Sequence, residues 1–156
     1  MGIMISKSNS SSEMKCFVDA NWGGEGNLST HGYIMFYGIN PIWWQSKRRV
    51  TIASSAAQAE YMALSFASNE MLWLYNLFLD ILKNPIPTLY SDNQTAVGIS
   101  TESMNRKQTR HLIRELIAVH KLKLEWILTN DQLADILTKS LGSINHGFFV
   151  SLINSS

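Results

Sequence analysis

The sequence has almost no charge excess: thirteen Lys and Arg stand against twelve Asp and Glu, for a net charge of +1. With no global field to draw in a polyanion, any nucleic-acid affinity has to come from local basic patches. Cysteine is reduced to Cys16, set in an apolar run. One thiol excludes a disulfide framework and a thiolate zinc cluster, and it fits a reducing compartment. No apolar run reaches the length of a membrane span, and no signal peptide is visible, so no membrane partner is expected. Met1 to Ser6 matches the loose myristoylation pattern but lacks the second signal that stable anchoring takes. What the chain does have is apolar material, 46% of 156 residues with five Trp, enough for the core of one domain.

That material is densest in Ser54–Leu79, around which the rest of the chain is read. Ala59, Met62, Ala63, Phe66, Leu74, Leu77 and Phe78 fall mostly three or four apart, the spacing of one buried helical face. Ser55 and Gln58 have the spacing of a capping box, in which each side chain satisfies a backbone N–H at the helix start. Glu60 sits one turn inside that start, beside the apolar positions. A carboxylate aimed at a core is costly unless a metal or cation compensates it; the alternative is an exposed Glu at the edge of the stripe.

Taken in order, residues 6–12 read as a flexible leader, so that 1–13 precede the domain. MKCFVD at 14–19 is a short strand ending on an acid, and Asn21 to Gly26 a turn. GYIMFY at 32–37 and IWWQ at 42–45 are the second and third strands, with SKRR at 46–49 a compact basic loop. After the long helix, PTLYS at 87–91 is a fourth strand leading to Asp92, and residues 93–100 form a short helix. Leu112–His120 is helical. Leu122, Leu124 and Trp126 alternate with Lys123 and Glu125, as in a half-buried strand. Asn130 or Asp131 caps a last helix running to Lys139, and 142–156 is a tail. Three strands, helix, strand, helices, strand, helix make a mixed α/β layer fold.

Asp19 ends the first strand, Glu60 lies in the first helix, Asp92 ends the fourth strand and Asp135 lies in the last helix. Acids at the carboxyl ends of strands converge on one rim although far apart in sequence. Converging carboxylates repel and need cations, and hard oxygen ligands without thiolate suit Mg²⁺ or Mn²⁺. Two such ions ~4 Å apart hold an attacking water and a leaving oxygen for in-line phosphodiester cleavage. By spacing alone the signal is weak, since twelve acids supply many quartets; four unrelated surface or capping acids are the competing reading.

The residues flanking those acids carry more. VDANW at 18–22, STHGY at 29–33, WWQSKRR at 43–49, SSAAQAEYMAL at 54–64, LWL at 72–74, YSDNQTAV at 90–97, TRH at 109–111 and LEWILTNDQLADILTKSL at 124–141 occur in one order. Together they closely resemble the ribonuclease H domain of copia-type LTR retrotransposon polyproteins. The resemblance spans roughly residues 15–141, and with it the domain is set at 14–141. It implies a ribonuclease H-like fold, a mixed five-stranded sheet flanked by helices. It implies that Asp19, Glu60, Asp92 and Asp135 are the metal-binding catalytic set for two ions, Mg²⁺ or Mn²⁺. By family analogy Asp19 bridges both ions, Glu60 and Asp92 hold the one near the leaving 3′ oxygen, and Asp135 holds the one that activates water.

The implied reaction is endonucleolytic cleavage of the RNA strand of an RNA/DNA hybrid during reverse transcription. The other implied partner is the upstream reverse transcriptase of the parent polyprotein, in a cytoplasmic virus-like particle, with the nucleus as the alternative. Lys47, Arg48, Arg49, Arg106, Lys107 and Arg110 are candidates for phosphate contacts, which hold a duplex without reading sequence. Asn93 either orients a phosphate or caps a helix. His111, in the TRH marker, is positional or phosphate-contacting. Trp22, Trp43 and Trp44 have a stacking role or, more often on strands, a core one. His31 and His146 are not candidates.

The chain departs from the pattern in three places. It passes straight from His111 to LIRE at 112–115, about six residues short of the family's usual run, between one and two helical turns. Such a short helix is expected to misplace the final strand and Asp135. Gln58 replaces an acid common before AEY, and Leu128 stands where Pro is common. The chain also opens on Met1, where the family domain follows a polymerase, as a fragment or a relic of an inserted element would. The alternative reading is therefore a catalytically impaired relic or a nucleic-acid-binding module with the same fold. A nuclease acting on DNA junctions is less favoured because the motif context differs.

Overall fold

A computed structural model of the chain describes residues 13–23, 28–48, 53–79, 86–101, 110–119, 121–139 and 147, with the side chains of 110–112 and 114 outside the description. Leader residues 1–12 and nearly all of the tail lie outside it.

Three strands come first: β1 (Met14–Asn21), β2 (Thr30–Tyr37) and β3 (Asn40–Arg48). They pair antiparallel in sequence order. The β2–β3 turn rests on Gly38, whose φ of +61° is a conformation only glycine enters without strain. Strand β4 (Thr88–Ser91) joins the other side of β1 in parallel, and β5 (Lys123–Trp126) pairs parallel with β4. The resulting five-stranded mixed sheet has the order β3-β2-β1-β4-β5. Helix α1 (Ala56–Phe78) follows β3, α2 (Gln94–Thr101) follows β4, and α3 (Arg110–Ala118) precedes β5. A 3-10 turn at Thr129–Asp131 and the short α4 (Asp135–Thr138) close the described chain.

Met14, Cys16, Val18 and Ala20 alternate along β1 and are buried in one core with Ala59, Ala63, Leu64, Ala67 and Met71 of α1. Ala59, Ala63 and Ala67 are four apart and small, so the helix lies close on the sheet. This changes the helical face expected from the sequence. Ala59, Ala63 and Leu74 are buried, but Phe66 and Leu77 are exposed, and Tyr61, Leu64 and Met71 take inward positions. The large side chains left outside find neighbours of their own. Phe66 stacks on the buried His31, with ring centroids 5.6 Å apart, and Trp73 meets Trp43 at 5.8 Å.

Four further expectations are corrected. Ser46, Lys47 and Arg48 are not a loop: they continue β3 along β2 to Arg48 opposite Thr30. Trp43 and Trp44 are not core residues; both are about two-fifths exposed, because β3 is the sheet's edge strand. The last helix does not run from Asn130 to Lys139, since Gln132 leaves helical geometry and donates to Val18 O of β1 at 2.9 Å, splitting the segment in two. The short passage after His111 does not displace the final strand either: β5 holds a four-residue register with β4, from Lys123 opposite Thr88 to Trp126 opposite Ser91.

At the start of α1, Ser55 accepts from Gln58 N as expected. The return bond differs: Gln58 Oε1 accepts from Ser54 N at 2.6 Å and from the Ser54 hydroxyl at 2.5 Å. The box is closed one residue earlier than its spacing suggests.

Candidate active site

β1, β4 and β5 run parallel, so their carboxyl ends share one rim of the sheet. Asp19 is near the end of β1, Asp92 directly follows β4, and Glu60 lies in the first turns of α1, which begins at that rim. Their carboxylate oxygens come within 4.8 Å of one another, a group able to hold a metal ion. Asp19 and Glu60 are buried and Asp92 is half-buried. Asp135 does not belong to that group. Its Oδ1 lies 2.7 Å from Nζ of Lys139, one turn further along α4.

Packing alone leaves the triad electrostatically unsatisfied. Burial first, then the Asp19 and Asp92 charges, push the Glu60 carboxyl up to about 9, and the Ala20 backbone N–H partly opposes them. Its Oε2 is buried without a hydrogen-bond partner. Asp19 is also raised, first by burial, while the Thr138 hydroxyl and the Lys139 charge pull it back down. A buried carboxylate oxygen with no donor is expensive, and an oxygen-only ligand set fits a hard divalent cation. The residues present therefore fit such an ion.

Alternation along β1 turns Asp19 to the face opposite the Met14–Ala20 core residues, and α4 meets it there. Thr138 donates its hydroxyl to Asp19 Oδ2. Asn21 Nδ2 donates to Thr138 O at 3.4 Å, and the Ser46 hydroxyl donates to Leu137 O at 2.5 Å. Gly32, opposite Asp19 in register, leaves room for this approach, because a Cβ there would lie 2.6 Å from Leu137 Cβ. On the other flank, Trp126 Nε1 donates to Asp92 O at 3.0 Å and ties β5 to the end of β4.

The candidate nucleic-acid contacts divide. Lys47 and Arg48 are exposed on β3. In register they lie beyond the Asp19–Gly32–Ser46 row, toward the same rim and two strands from β1, about 10 Å away. Asn93 Oδ1 accepts from Ala96 N at 2.9 Å, the capping alternative, which leaves its amide group for any phosphate contact. Arg49, Arg106 and Lys107 lie outside the described residues, as do the side chains of Arg110 and His111. Trp22 is about half exposed, its indole N–H donating to Ala53 O at 2.9 Å. The residues not singled out beforehand are Gln132, Thr138 and Lys139. The only sequence signal for them was their place in the NDQLADILTK run around Asp135.

This sheet order with acids at the shared rim defines a ribonuclease H-like protein, and comparison with solved structures agrees. The N-terminal ribonuclease H domain of a Mycobacterium tuberculosis protein superposes with a TM-score of 0.60 at 13% identity, covering 94% of this chain and all of that one. A ribonuclease H1 isolated from compost gives 0.60 at 17% identity over 82% of this chain and 94% of its own. That enzyme has also been solved in complex with an RNA/DNA hybrid.

No family model matches the chain. Its sequence relatives include retrovirus-related Pol polyproteins. Those of transposons RE1 from Arabidopsis thaliana and TNT 1-94 from Nicotiana tabacum are 32% and 33% identical, over 97% and 81% of this chain. The chain is thus a homologue of the retrovirus-related Pol polyproteins of transposons, with the fold of a ribonuclease H domain. It spans about a tenth of their length, 11% and 10% respectively.

Proposed function

We propose that this chain hydrolyses the RNA strand of RNA/DNA hybrids with two divalent ions, Mg²⁺ or Mn²⁺, as part of retrotransposon reverse transcription. The observation that carries the reading is the approach of Asp19, Glu60 and Asp92 within 4.8 Å, one of them with a buried, unpartnered oxygen. Asp19, Glu60 and Asp92 would hold one ion, and Asp19 with Asp135 the other. Bound there, divalent ions supply Lewis acidity toward the phosphate and a water acidic enough to ionise near neutral pH. The chain's own residues do the positioning. Thr138 fixes one oxygen of Asp19, and the main chain at Asp92 is fixed through Trp126. Lys47 and Arg48 offer the exposed cations that a duplex backbone needs, a contact that is salt-dependent and sequence-independent.

The 2′-hydroxyl distinguishes the RNA strand, and the polar rim around Glu60 is where it would be read. The proposed setting is the polyprotein of its relatives, beside a reverse transcriptase, in a cytoplasmic particle. An end-labelled hybrid incubated with Mg²⁺ or Mn²⁺ and resolved on a gel tests the proposal. Cleavage of the RNA strand by the parent chain, lost in Asp92→Asn at unchanged fold, is the expected result. Equal cutting by Asp92→Asn would refute the carboxylate assignment. Hybrid binding without cutting would establish the impaired binding module instead.

A further inference from the structure

Resting on that reading of the carboxylates, we infer that Lys139 is a tethered counter-cation: its ammonium holds Asp135 until a second divalent ion displaces it. Four acids lie at the rim, but three come together while the fourth stands apart, held by Lys139 Nζ at 2.7 Å. The charges of Asp19, Asp135 and Asp92 all favour the charged form of that ammonium, so it lies within electrostatic reach of the cluster. An ordinary i,i+4 pair supports a long exposed helix. Here α4 has four residues, and Lys139 is its C-cap with an extended backbone, ψ 147°. There is little helix for the pair to support, and its position at the acids' edge is the feature that needs explaining.

The ammonium supplies one positive charge where a divalent ion supplies two, so it relieves carboxylate repulsion only in part. Its side chain is 41% exposed, and no other hydrogen-bond or ion-pair acceptor holds its Nζ among the described residues. It can therefore swing away into solvent at small cost when a stronger cation arrives. Lys139 would thus be a positioning residue that acts through Asp135. It keeps the metal-free rim from flying apart, and it sets a threshold concentration for the second ion.

Calorimetric titration of the full chain with Mg²⁺ tests this. Lys139→Gln should bind Mg²⁺ roughly two- to fivefold more tightly, the worth of one exposed ion pair removed from the competition. Lys139→Arg should keep the parent affinity, and in an Asp135→Asn background the gain from Lys139→Gln should vanish. In the parent itself, the ε-CH₂ resonance of Lys139 should move on saturation with Mg²⁺, a readout that needs no variant to fold. Unchanged or weaker Mg²⁺ binding by Lys139→Gln, or a stationary ε-CH₂ resonance, would overturn the inference. Asp92→Asn separates this from the underlying reading. If it binds Mg²⁺ like the parent, the carboxylate site itself is wrong. If it loses Mg²⁺ while Lys139→Gln changes nothing, only the role of Lys139 is.

Discussion

The hydroxyl of Thr138 donates to Oδ2 of Asp19 across 119 residues of chain, joining the closing helix to the first strand at one of the cluster's buried acids. The bond has two consequences. It gives a carboxylate raised by burial a donor that pulls it back toward the charged form. It also anchors α4, and with it Asp135, to the sheet.

Thr138→Val keeps the shape and removes the donor. The loss of one buried hydrogen bond should cost about 1 kcal/mol of stability. Hybrid cleavage should fall further than that, by about tenfold or more, because Asp19 gains rotational freedom and a misplacement of ~1 Å can cost about a hundredfold. Melting curves and single-turnover cleavage measured side by side decide it. A variant that melts lower but cuts at the parent rate would show that the bond is structural only.

Gly32→Ala probes the same junction from the sheet side. The added Cβ would sit 2.6 Å from Leu137 Cβ and 3.0 Å from Thr138 Cγ2. Neither atom is the far end of a flexible chain, so α4 has to move. Overpacking of this kind typically costs about 1–3 kcal/mol. The expected phenotype is a folded protein with weaker Mg²⁺ affinity and slower cleavage, read by melting and by titration. Parent-like metal binding would mean that α4 tolerates displacement.

The parts of the site that were legible in the sequence are those fixed by main-chain direction. Parallel strands leading to Asp19 and Asp92, with Glu60 near the start of α1, bring those three carboxylates together at one rim. What was not legible depends on side-chain volume and three-dimensional neighbours. The apolar spacing pointed α1 inward through Phe66 and Leu77, yet the alanines at 59, 63 and 67 gave the closest fit to the sheet and turned those larger residues out. Lys47 and Arg48 read as loop because they are polar, but an edge strand with both faces exposed carries polar residues in sequence without leaving the sheet. The break in the last helix comes from Gln132 reaching Val18, a contact 114 residues distant that no local window contains. Asp135 stands outside the carboxylate group, paired with Lys139, a residue that the sequence marks only as a helix end.

Glu60 gives the metal-free protein a pH-dependent contribution to stability. Its ordinary value is 4.5, and burial, then Asp19, push it up to about 9 in the folded chain. Between those values the native state holds a proton that the unfolded chain has released. The contribution of the group to stability is therefore complete below 4.5 and is lost as pH rises toward 9. In EDTA, the melting temperature should fall steadily from pH 5 to pH 9, and Glu60→Gln, neutral throughout, should flatten the slope. A parent slope as flat as that of Glu60→Gln would mean that the carboxyl is not held protonated by its surroundings.

The same linkage makes metal and proton rivals for Glu60. A divalent ion needs the ionised carboxylate, so binding at neutral pH must expel the proton that burial retains. Excess Mg²⁺ should then raise the melting temperature over EDTA, by the equivalent of ~2.7 kcal/mol at a hundredfold excess over Kd. The gain should be larger at pH 8.5 than at pH 6, because less of the binding free energy is spent on displacing protons. Calorimetric titration in two buffers of different ionisation heat should show release of protons, a fraction of one per ion that falls as pH rises toward 9. In Glu60→Gln that release should shrink while binding weakens. Equal melting with EDTA and Mg²⁺ at both pH values would show that the three carboxylates, close as they are, do not form a site.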